Sequence, residues 1–343
     1  MMALSVPYPE TYEKWLEIRR HGIGGSDVAA ILGLSPWRTP VQVWQDKTGQ
    51  GEKQPESASM YWGKQLEDLV AKEFQRRMGM KVQRINRVIR DGENGWMVAN
   101  IDRAIINPAI RGNVRVLDEE SKIKENKGRR ITTDAILECK TAHSFSAQEW
   151  GYTQEYEIKK NQLVTEHEIP VFYETQVQWY MAITGAAVCY LAVLIGGSDF
   201  RVYLIRRNEE VINVLKKKCW EFWSNCVLSN KAPDPVDIDD VKRLFKIDTG
   251  EMAEASNDIA ADIGELITLK EKVKTLEEQQ GALAMRITEA LGEKLGFTIG
   301  GNKAVTFKTQ TTRRFDSTKF RKEEPALYEK YVKVSTNRIL KTY

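Results

Sequence analysis

The sequence is poor in cysteine and has no long hydrophobic run. Its 343 residues include four cysteines, none of which forms a CxxC pair with another. The sequence therefore predicts neither a disulfide framework nor a zinc knuckle, and it suits a reducing compartment. The longest apolar run, residues 186–195, is too short to cross a bilayer, and Pro7 and Pro9 stand where the hydrophobic part of a signal peptide would lie. We therefore expect a cytoplasmic protein that has no membrane partner.

A strong charge of either sign is also absent. The sequence has 51 lysines and arginines against 48 aspartates and glutamates, which leaves a formal net charge of +3. This mild excess permits nucleic acid as a partner but does not require it. Hydrophobic residues make up 42% and charged residues 29% of the chain, which is ordinary for a soluble globular protein of one large domain or two.

Two short segments each place a carboxylate among apolar residues. Residues 97–105 contain Asp102, and a later segment contains Glu138, followed two positions on by Lys140. Because side chains alternate along a strand, Glu138 and Lys140 share one face and Cys139 points to the other. An acid and an amine on one face, opposite a second acid, could hold a metal ion that hydrolyses phosphodiesters. A surface salt bridge on a hairpin is the alternative.

A glycine-rich turn precedes the helical run at residues 28–33. Its sequence is His21-Gly22-Ile23-Gly24-Gly25-Ser26-Asp27. Ser26 or Asp27 can cap the helix that follows. A phosphate could bind to the free N–H groups there, with Arg19 and Arg20 close by. A plain N-cap after a glycine turn is the alternative.

The remaining pattern predicts a mixed α/β sheet with helices on its faces. After a short helix at residues 10–21, we expect helices at residues 58–78, 171–181 and 208–229 and strands at residues 80–90, 96–106, 135–141, 187–195 and 200–206. Their order along the chain is helix, strand, strand, strand, helix, strand, strand and helix. Glu67 lies beside the apolar face of the helix at 58–78. Gln176 and Tyr180 are four residues apart and therefore share one face of their helix.

Two basic stretches complete the pattern. Residues 108–134 interrupt the sheet, and within them residues 111–130 hold seven Lys and Arg against four Asp and Glu. That stretch is either a hairpin or loop that touches the DNA backbone or a solvated loop without a role.

After a proline-containing boundary, residues 252–292 predict a long amphipathic helix or a coiled-coil hairpin. The basic residues 303–341, which include several aromatic side chains, form either a DNA- or partner-binding tail or a solvated face.

The order of these features resembles the PD-(D/E)XK nuclease superfamily. The resemblance rests on Glu67 in a helix, Asp102, the Glu138-x-Lys140 strand and the Gln176-x-x-x-Tyr180 helix. More narrowly, the chain resembles the lambda-type alkaline exonucleases and the YqaJ viral recombinase family over about residues 10–228. Three stretches support this: Trp15-x-x-x-Arg19-x-x-x-Ile23-Gly24-Gly25-Ser26, Trp62-Gly63-Lys64-Gln65-Leu66-Glu67 and Thr175-Gln176-Val177-Gln178-Trp179. An E-x-K motif alone is unspecific, whereas five motifs in the family's order are specific.

The resemblance implies a restriction-endonuclease-like α/β fold, with a mixed central sheet flanked by helices, over residues 1–230. The basic insertion at about 108–134 belongs to this domain. Residues 231–343 would form a C-terminal extension with a long helical or coiled-coil part and a basic α+β part. Two features depart from the family pattern: the acid motif reads Asn100-Ile101-Asp102 in place of Pro-Asp, and 36 positions separate Asp102 from Glu138, more than is usual.

The same resemblance implies which residues form the site. Two Mg²⁺ or Mn²⁺ ions would be held by oxygen ligands from Asp102, Glu138, the main-chain carbonyl of Cys139 and Glu67. Lys140 would orient the attacking water and stabilise the charge that builds on the phosphate, and Gln176 would orient Lys140 or the water. A further set would contact the 5′-phosphate or the DNA: Arg19, Ser26 and Tyr180.

The implied function is that of a Mg²⁺-dependent 5′-to-3′ exonuclease on double-stranded DNA in a phage-type recombination system. It would leave 3′ overhangs for a single-strand annealing protein, and its copies would form a ring, a trimer, around DNA in the bacterial host cytoplasm. A sequence-specific endonuclease of the same superfamily and a non-catalytic DNA-binding recombination accessory are the alternatives. An iron–sulfur nuclease is excluded because Cys219 and Cys226 lack the matching cysteines of a four-cysteine cluster.

Overall fold

The structure, a computed structural model, describes most of the chain. The described residues are 3–7, 17–51, 57–106, 114–116, 134–151, 164–165, 169–334 and 336–343, with only the backbone described at 3–7, 114–116 and 164–165. The chain divides into two compact units, Met1–Val241 and Lys242–Tyr343. Of the predicted helix at 10–21, only the part from residue 17 is described, and residues 17–20 are helical. The predicted basic insertion lies outside the described residues except for 114–116 and 134.

The first unit combines short and long strands with helices. Its strands are β1 (Ala3–Pro7), β2 (Val82–Arg84), β3 (Arg87–Arg90), β4 (Val98–Ala99), β5 (Arg103–Ile105), β6 (Val114–Val116), β7 (Ala135–Ala142), β8 (Val164–Thr165), β9 (Val188–Ile195) and β10 (Asp199–Arg206). Its helices are α1 (Gly25–Ile31), α2 (Pro40–Thr48), α3 (Ala58–Met78), α4 (Val171–Thr184) and α5 (Glu209–Phe222). The boundary between the two units falls within α6 (Ile238–Leu244). A 3₁₀ segment covers Ser144–Trp150, and α5 continues as a π-helical segment over Trp223–Leu228.

These strands form two separate sheets. The central sheet has the order β2-β5-β7-β9-β10-β8, and the second sheet has the order β4-β3-β1-β6. In the central sheet β7 and β9 run parallel, with Glu138 opposite Leu191, whereas β9 and β10 form an antiparallel hairpin. A parallel pair needs a crossover connection, and α4 lies in that connection. The predicted α/β fold with a mixed central sheet and flanking helices is confirmed.

Burial explains why β7 lies inside the central sheet. Its first five residues, 135–139, are all buried. Leu137 and Cys139 pack in one apolar core with Val70 and Phe74 of α3. Complete burial of a side chain such as Phe74 contributes about 1.5–3 kcal/mol to folding. The alternate side chains of β7 therefore face the opposite side of the sheet, where α4 lies.

The predicted strands at residues 80–90 and 96–106 are each broken in two. β2 and β5 pair in the central sheet, whereas β3 and β4 pair in the second sheet. The chain leaves the second sheet after β4, and there Oδ2 of Asp102 accepts a hydrogen bond from the Cys139 N–H at 2.8 Å. A side chain thus replaces a strand as the partner of this N–H group. Hydrophobic periodicity could not indicate the break, because the two residues lie 37 positions apart in the sequence.

The second unit has a long helix followed by a hairpin and two short helices. Its elements are α7 (Asn257–Leu291), β11 (Gly296–Ile299), β12 (Asn302–Thr306), α8 (Ser317–Glu323) and α9 (Pro325–Tyr331). The hydroxyl of Ser256 accepts the N–H of Ile259 and caps α7, which runs unbroken for 35 residues. The predicted alternative of a coiled-coil hairpin is therefore wrong. Among the described residues, no helix has the length and apolar character that crossing a membrane requires.

Candidate active site

Glu138 and Lys140 lie together on one face of β7, as the alternation predicted. Lys140 Nζ donates to Glu138 Oε1 at 2.7 Å and to Gln176 Oε1 at 3.2 Å. Gln176, on α4, donates from Nε2 to the same Glu138 oxygen at 2.8 Å and to the Tyr180 hydroxyl at 2.9 Å. A spacing of four residues on a helix brings Gln176 and Tyr180 side by side. These four predicted site residues therefore form one hydrogen-bonded network.

Asp102 interacts with this network and is held by the main chain of β7. Its Oδ2 accepts the Cys139 N–H. Burial raises the pKa of Asp102 well above its usual value, and the negative charges of Glu138 and Glu67 raise that pKa further. Burial likewise raises the pKa of Glu138, although the charge of Lys140 opposes that shift. Because the two neighbouring carboxylates repel each other, the pair attracts a cation.

Lys140 stays positively charged in this setting. Burial alone would lower the pKa of Lys140, but the carboxylates of Glu138 and Asp102 outweigh burial and raise that pKa above its usual value. The Nζ atom also lies 4.9 Å from the centre of the Tyr173 ring, within the range of a cation–π interaction. Lys140 is therefore arranged to donate hydrogen bonds rather than to accept a proton.

Glu67 reaches the site from α3 and is held there by arginines. Its Oε1 accepts from Arg103 Nη1 at 2.6 Å and from Arg84 Nη2 at 3.3 Å. Arg103 is buried, pairs with Asp68 and donates to the main-chain oxygen of Asp102 at 2.7 Å. It thus ties α3 to β5. Arg103 was not among the predicted site residues, and its one signal in the sequence is an arginine within an otherwise apolar strand.

The oxygens of Asp102 and Glu138 fit a divalent cation. The Oε2 atom of Glu138 is buried and has no hydrogen-bond partner. Leaving a buried polar atom without a partner costs about 1–3 kcal/mol, and more when the group is charged, so a bound cation would relieve this cost. Carboxylate oxygens are the ligands that Mg²⁺ and Mn²⁺ prefer. In the part of the chain that the structure describes, no three acidic, histidine or cysteine side chains converge as metal ligands, and Glu67 is turned to Arg103.

A second charged cluster surrounds Asp27 in α1. This buried carboxylate accepts from Lys47 Nζ at 2.6 Å, from Arg38 Nη1 at 3.0 Å and from Arg19 Nη2 at 3.1 Å. Its Oδ2 also accepts the Gly24 N–H at 3.0 Å, so Asp27 caps the start of α1. Although burial opposes the shift, the charges of Lys47, Arg19 and Arg38 hold the pKa of Asp27 well below its usual range. Three cations around one buried carboxylate leave a local surplus of positive charge.

Arg19 and Ser26 lie together at the edge of this cluster. Arg19 Nη2 donates to Ser26 Oγ at 2.8 Å. Ser26 is exposed, and a quarter of the Arg19 side chain (25%) is exposed. Because Asp27 supplies the helix cap, the Ser26 hydroxyl stays at the surface beside Arg19. Lys47 and Arg38 were not among the predicted site residues, because they come from α2 and from the loop before it.

Gly25 lies where the Asp27 cluster contacts the hydrogen-bonded network of Glu138, Lys140, Gln176 and Tyr180. A Cβ atom at this position would lie 2.5 Å from Cε1 of Tyr180 and 3.1 Å from Cγ of Gln176. Only a residue without a side chain allows α1 to approach α4 this closely. The turn that carries Ser26 therefore abuts the Gln176–Tyr180 pair.

We expect Gly25→Ala to destabilise the first unit by about 1–3 kcal/mol, because the added methyl group overpacks the contact with Tyr180. Urea denaturation followed by tryptophan fluorescence would measure the change. Gly95→Ala is a matched control, since no atom lies within 4 Å of its added Cβ. Equal unfolding midpoints for the two variants would contradict the tight packing at Gly25.

Comparison with known proteins identifies the family. A model of the YqaJ-like viral recombinase domain matches residues 14–187, a span that includes every predicted site residue from Arg19 to Tyr180. The chain belongs to the YqaJ-like viral recombinase family. It is 34% identical over 335 residues to the uncharacterized protein YqaJ of Bacillus subtilis (strain 168), over 94% of this chain and 91% of that protein. The predicted resemblance to the YqaJ family is confirmed.

Solved structures of exonucleases are also similar to this YqaJ-family chain, with lower sequence identity. An alkaline exonuclease, LHK-Exo from Laribacter hongkongensis, aligns with a TM-score of 0.44 and 16% identity over 64% of this chain and 94% of that one. A phage-related exonuclease from Haemophilus somnus 129PT aligns with a TM-score of 0.40 and 12% identity over 63% of this chain and 99% of that one. Membership in the YqaJ family rests on the sequence comparisons.

Proposed function

We propose that this YqaJ-family protein is a metal-dependent exonuclease that degrades one strand of double-stranded DNA from its 5′ end. The 3′ overhangs that remain would serve a single-strand annealing protein in phage-type recombination. The observation that carries the proposal is the group of Glu138, which is buried, with the half-buried Asp102 and Lys140, in which one oxygen of Glu138 has no protein partner. An excess of carboxylate groups beside a fixed ammonium group suits hydrolysis of a phosphodiester assisted by a divalent cation.

Asp102, Glu138 and the main-chain carbonyl of Cys139 would hold Mg²⁺ or Mn²⁺, and Glu67 would help to hold a second ion. Bound divalent cations lower the pKa of water and stabilise the attacking and leaving oxygens of a phosphodiester. The protein orients its ligands beforehand, because the Cys139 N–H fixes Asp102 and the Gln176 amide fixes Glu138. Such hydrogen bonds to ligand carboxylates commonly tune metal affinity.

Lys140 would act as a fixed ammonium group. Glu138 and Gln176 direct its N–H groups, and the Tyr180 hydroxyl in turn fixes the Gln176 amide. Because Lys140 stays protonated, it would orient the attacking water and stabilise negative charge that develops on the phosphate. Gln176 and Tyr180 are then positioning residues. Tyr180 is buried, which favours this role over direct contact with DNA.

Arg19 and Ser26 would bind the phosphate at the 5′ end of the degraded strand. Their side chains meet at an exposed edge, where a phosphate could replace their mutual hydrogen bond. Arg38 and Lys47 add positive charge, and Asp27 is the one buried carboxylate that they share. Arginine pairs well with phosphate because its planar group offers two parallel N–H donors.

Arg19→Ala should reduce the preference for 5′-phosphorylated ends. We expect wild-type protein to degrade these ends about 10–100-fold faster than 5′-hydroxyl ends. This factor corresponds to the free energy that one hydrogen bond to a charged group contributes. The ratio of the two rates should approach one in Arg19→Ala, whereas Arg20→Ala, at the exposed neighbouring position, should keep it. Equal rates on both ends in wild-type protein would remove the proposed role of Arg19.

Closed-circular DNA separates the proposal from its alternatives. With Mg²⁺ present, an exonuclease releases nucleotides from linear duplex and spares the closed circle, whereas a sequence-specific endonuclease linearises the circle. A non-catalytic accessory protein releases nothing from either substrate. Addition of a chelator such as EDTA should stop the release of nucleotides, and release that continues in EDTA would contradict the metal dependence.

The resemblance also supports three proposals about organisation. We propose that residues 1–230 form the nuclease domain, with its basic insertion at about 108–134, and that residues 231–343 extend it. We further propose that copies assemble as a trimeric ring around duplex DNA and that the protein acts in the cytoplasm of the bacterial host. Light scattering of the protein with and without duplex would measure the number of copies in the complex.

A further inference from the structure

Trp37 is a largely exposed tryptophan in the connection between α1 and α2. Its side chain is 65% exposed, although tryptophan is on average one of the more buried residues. The hydroxyl of Ser35 accepts the N–H groups of Trp37 and Arg38, each at 3.2 Å, and so fixes the turn that carries the ring. The fold therefore presents a large aromatic surface to solvent from an ordered turn.

Trp37 is the exposed end of an aromatic cluster that also contains Phe172, Tyr173 and Trp150. The centre of the Trp37 ring lies 4.6 Å from that of Phe172 and 6.3 Å from that of Tyr173, both at the start of α4. Tyr173 stacks in turn on Trp150 at 5.2 Å, and Trp150 is buried. Ring centres 4.5–7 Å apart are favourable for aromatic pairs. The buried part of the aromatic cluster thus supports the exposed ring of Trp37.

The aromatic cluster links the two sets of residues that we propose to act on phosphates. At one end, the Tyr173 ring lies 4.9 Å from Nζ of Lys140. At the other end, Trp37 directly precedes Arg38, whose guanidinium group shares its buried carboxylate partner with Arg19. A continuous series of contacts therefore leads from the proposed 5′-phosphate site to the proposed catalytic lysine.

In the proposed reaction, these two sets of residues act on the two phosphates of one nucleotide. Arg19 binds the phosphate at the 5′ end, and Lys140 acts at the next phosphodiester, which is the bond that is hydrolysed. The base of the terminal nucleotide then lies beside the path from Arg19 to Lys140, where Trp37 is exposed. Aromatic side chains stack on all four bases, because every base has a π face.

We propose that Trp37 stacks on the base of the 5′-terminal nucleotide and so holds that nucleotide between the two phosphate-binding groups. This inference rests on the proposed nuclease function and adds a contact with the base to the contacts with phosphates. Stacking tolerates any base, which suits an enzyme that removes nucleotides one after another from DNA of any sequence. Phe172 supports the Trp37 ring from below and is not required to touch the DNA.

An abasic nucleotide at the 5′ end tests this stacking directly. The DNA is a 5′-phosphorylated hairpin duplex with one open end, and its affinity is measured by fluorescence anisotropy with Mg²⁺ in Lys140→Ala, which is expected not to hydrolyse it. An abasic 5′-terminal nucleotide should weaken binding about tenfold, because the loss of one base–aromatic stack has roughly this effect. Lys140→Ala/Trp37→Ala should bind the intact and the abasic hairpin equally.

Three further substitutions in the Lys140→Ala background separate stacking from a structural role of Trp37. Trp37→Phe keeps an aromatic ring and should retain most of the discrimination between the two hairpins. Trp37→Leu keeps an apolar side chain without a ring and should lose it. Trp220→Ala is the matched control, since it removes another exposed tryptophan of the first unit and should leave the discrimination unchanged.

The outcomes distinguish this inference from the proposed function. Equal affinity of Lys140→Ala for the two hairpins, or discrimination that persists without Trp37, would overturn the stacking. If the wild-type protein also releases nucleotides from linear duplex, the nuclease function stands without the stacking. If the wild-type protein releases none but the discrimination depends on Trp37, the stacking stands and the proposed nuclease function is overturned.

Discussion

Lys140→Ala is expected to abolish hydrolysis of linear duplex DNA while leaving DNA binding largely intact. The ammonium group is the one cation hydrogen-bonded to Glu138 in the described site, and Gln176 holds it in place. Removing a fixed donor of this kind commonly lowers the rate by about 10²–10³-fold, and loss of the positive charge beside two carboxylates adds to this. Binding should persist because the positive charge of Arg19 and Arg38 remains.

Nucleotide release and fluorescence anisotropy of labelled duplex would separate the two effects in Lys140→Ala. Lys217→Ala, an exposed lysine on α5, serves as the control that should retain full activity. Glu138→Ala should behave like Lys140→Ala, because it removes both a proposed metal ligand and the partner of the ammonium group. Normal turnover in either variant would show that the proposed site is misplaced.

Asp27→Asn is expected to destabilise the first unit by about 3–5 kcal/mol, the usual cost of removing one partner from a buried ion pair. The asparagine would keep the shape of the side chain but would remove the buried counter-charge that Lys47, Arg19 and Arg38 share. Asp46→Asn is the matched control, since Asp46 also pairs with Arg38 but is 54% exposed. An exposed pair contributes at most about 1 kcal/mol. Equal urea midpoints for the two variants would contradict the central role of Asp27.

Asp27 should also make the stability of the folded protein depend on pH in a defined direction. Asp27 has a lower pKa in the folded protein than its value of about 3.9 in an unfolded chain. Ionised Asp27 therefore stabilises the folded state above that pH, and the stabilisation is lost progressively as the pH falls below about 4. The stability difference between wild type and Asp27→Asn should shrink from pH 7 to pH 3. A difference that stays constant over this range would contradict the shifted pKa.

Local periodicity was sufficient to predict part of the site. Alternation along a strand placed Glu138 and Lys140 on one face, and a spacing of four on a helix placed Gln176 beside Tyr180. Both relations depend only on the geometry of one element, so a sequence contains all that is needed to infer them. The α/β order of the first unit followed from the same kind of pattern.

Contacts between distant elements could not be predicted in this way. Arg103 holds Glu67 across 36 positions, and Lys47 reaches Asp27 from a different helix. The break before β5 likewise involves a hydrogen bond that Asp102 accepts from the Cys139 N–H group of another strand. No local pattern encodes such partners, because the fold and not the sequence spacing brings them together.

The most direct test of the account is a time course on linear duplex DNA labelled separately at its 5′ and 3′ ends, with Mg²⁺ present. The proposed site predicts early release of the 5′ label as mononucleotide, retention of the 3′ label in a long single strand, and no release in Lys140→Ala. Early release of the 3′ label would contradict the proposed polarity. Retention of both labels by wild-type protein would contradict the proposal that Asp102, Glu138 and Lys140 form a nuclease site.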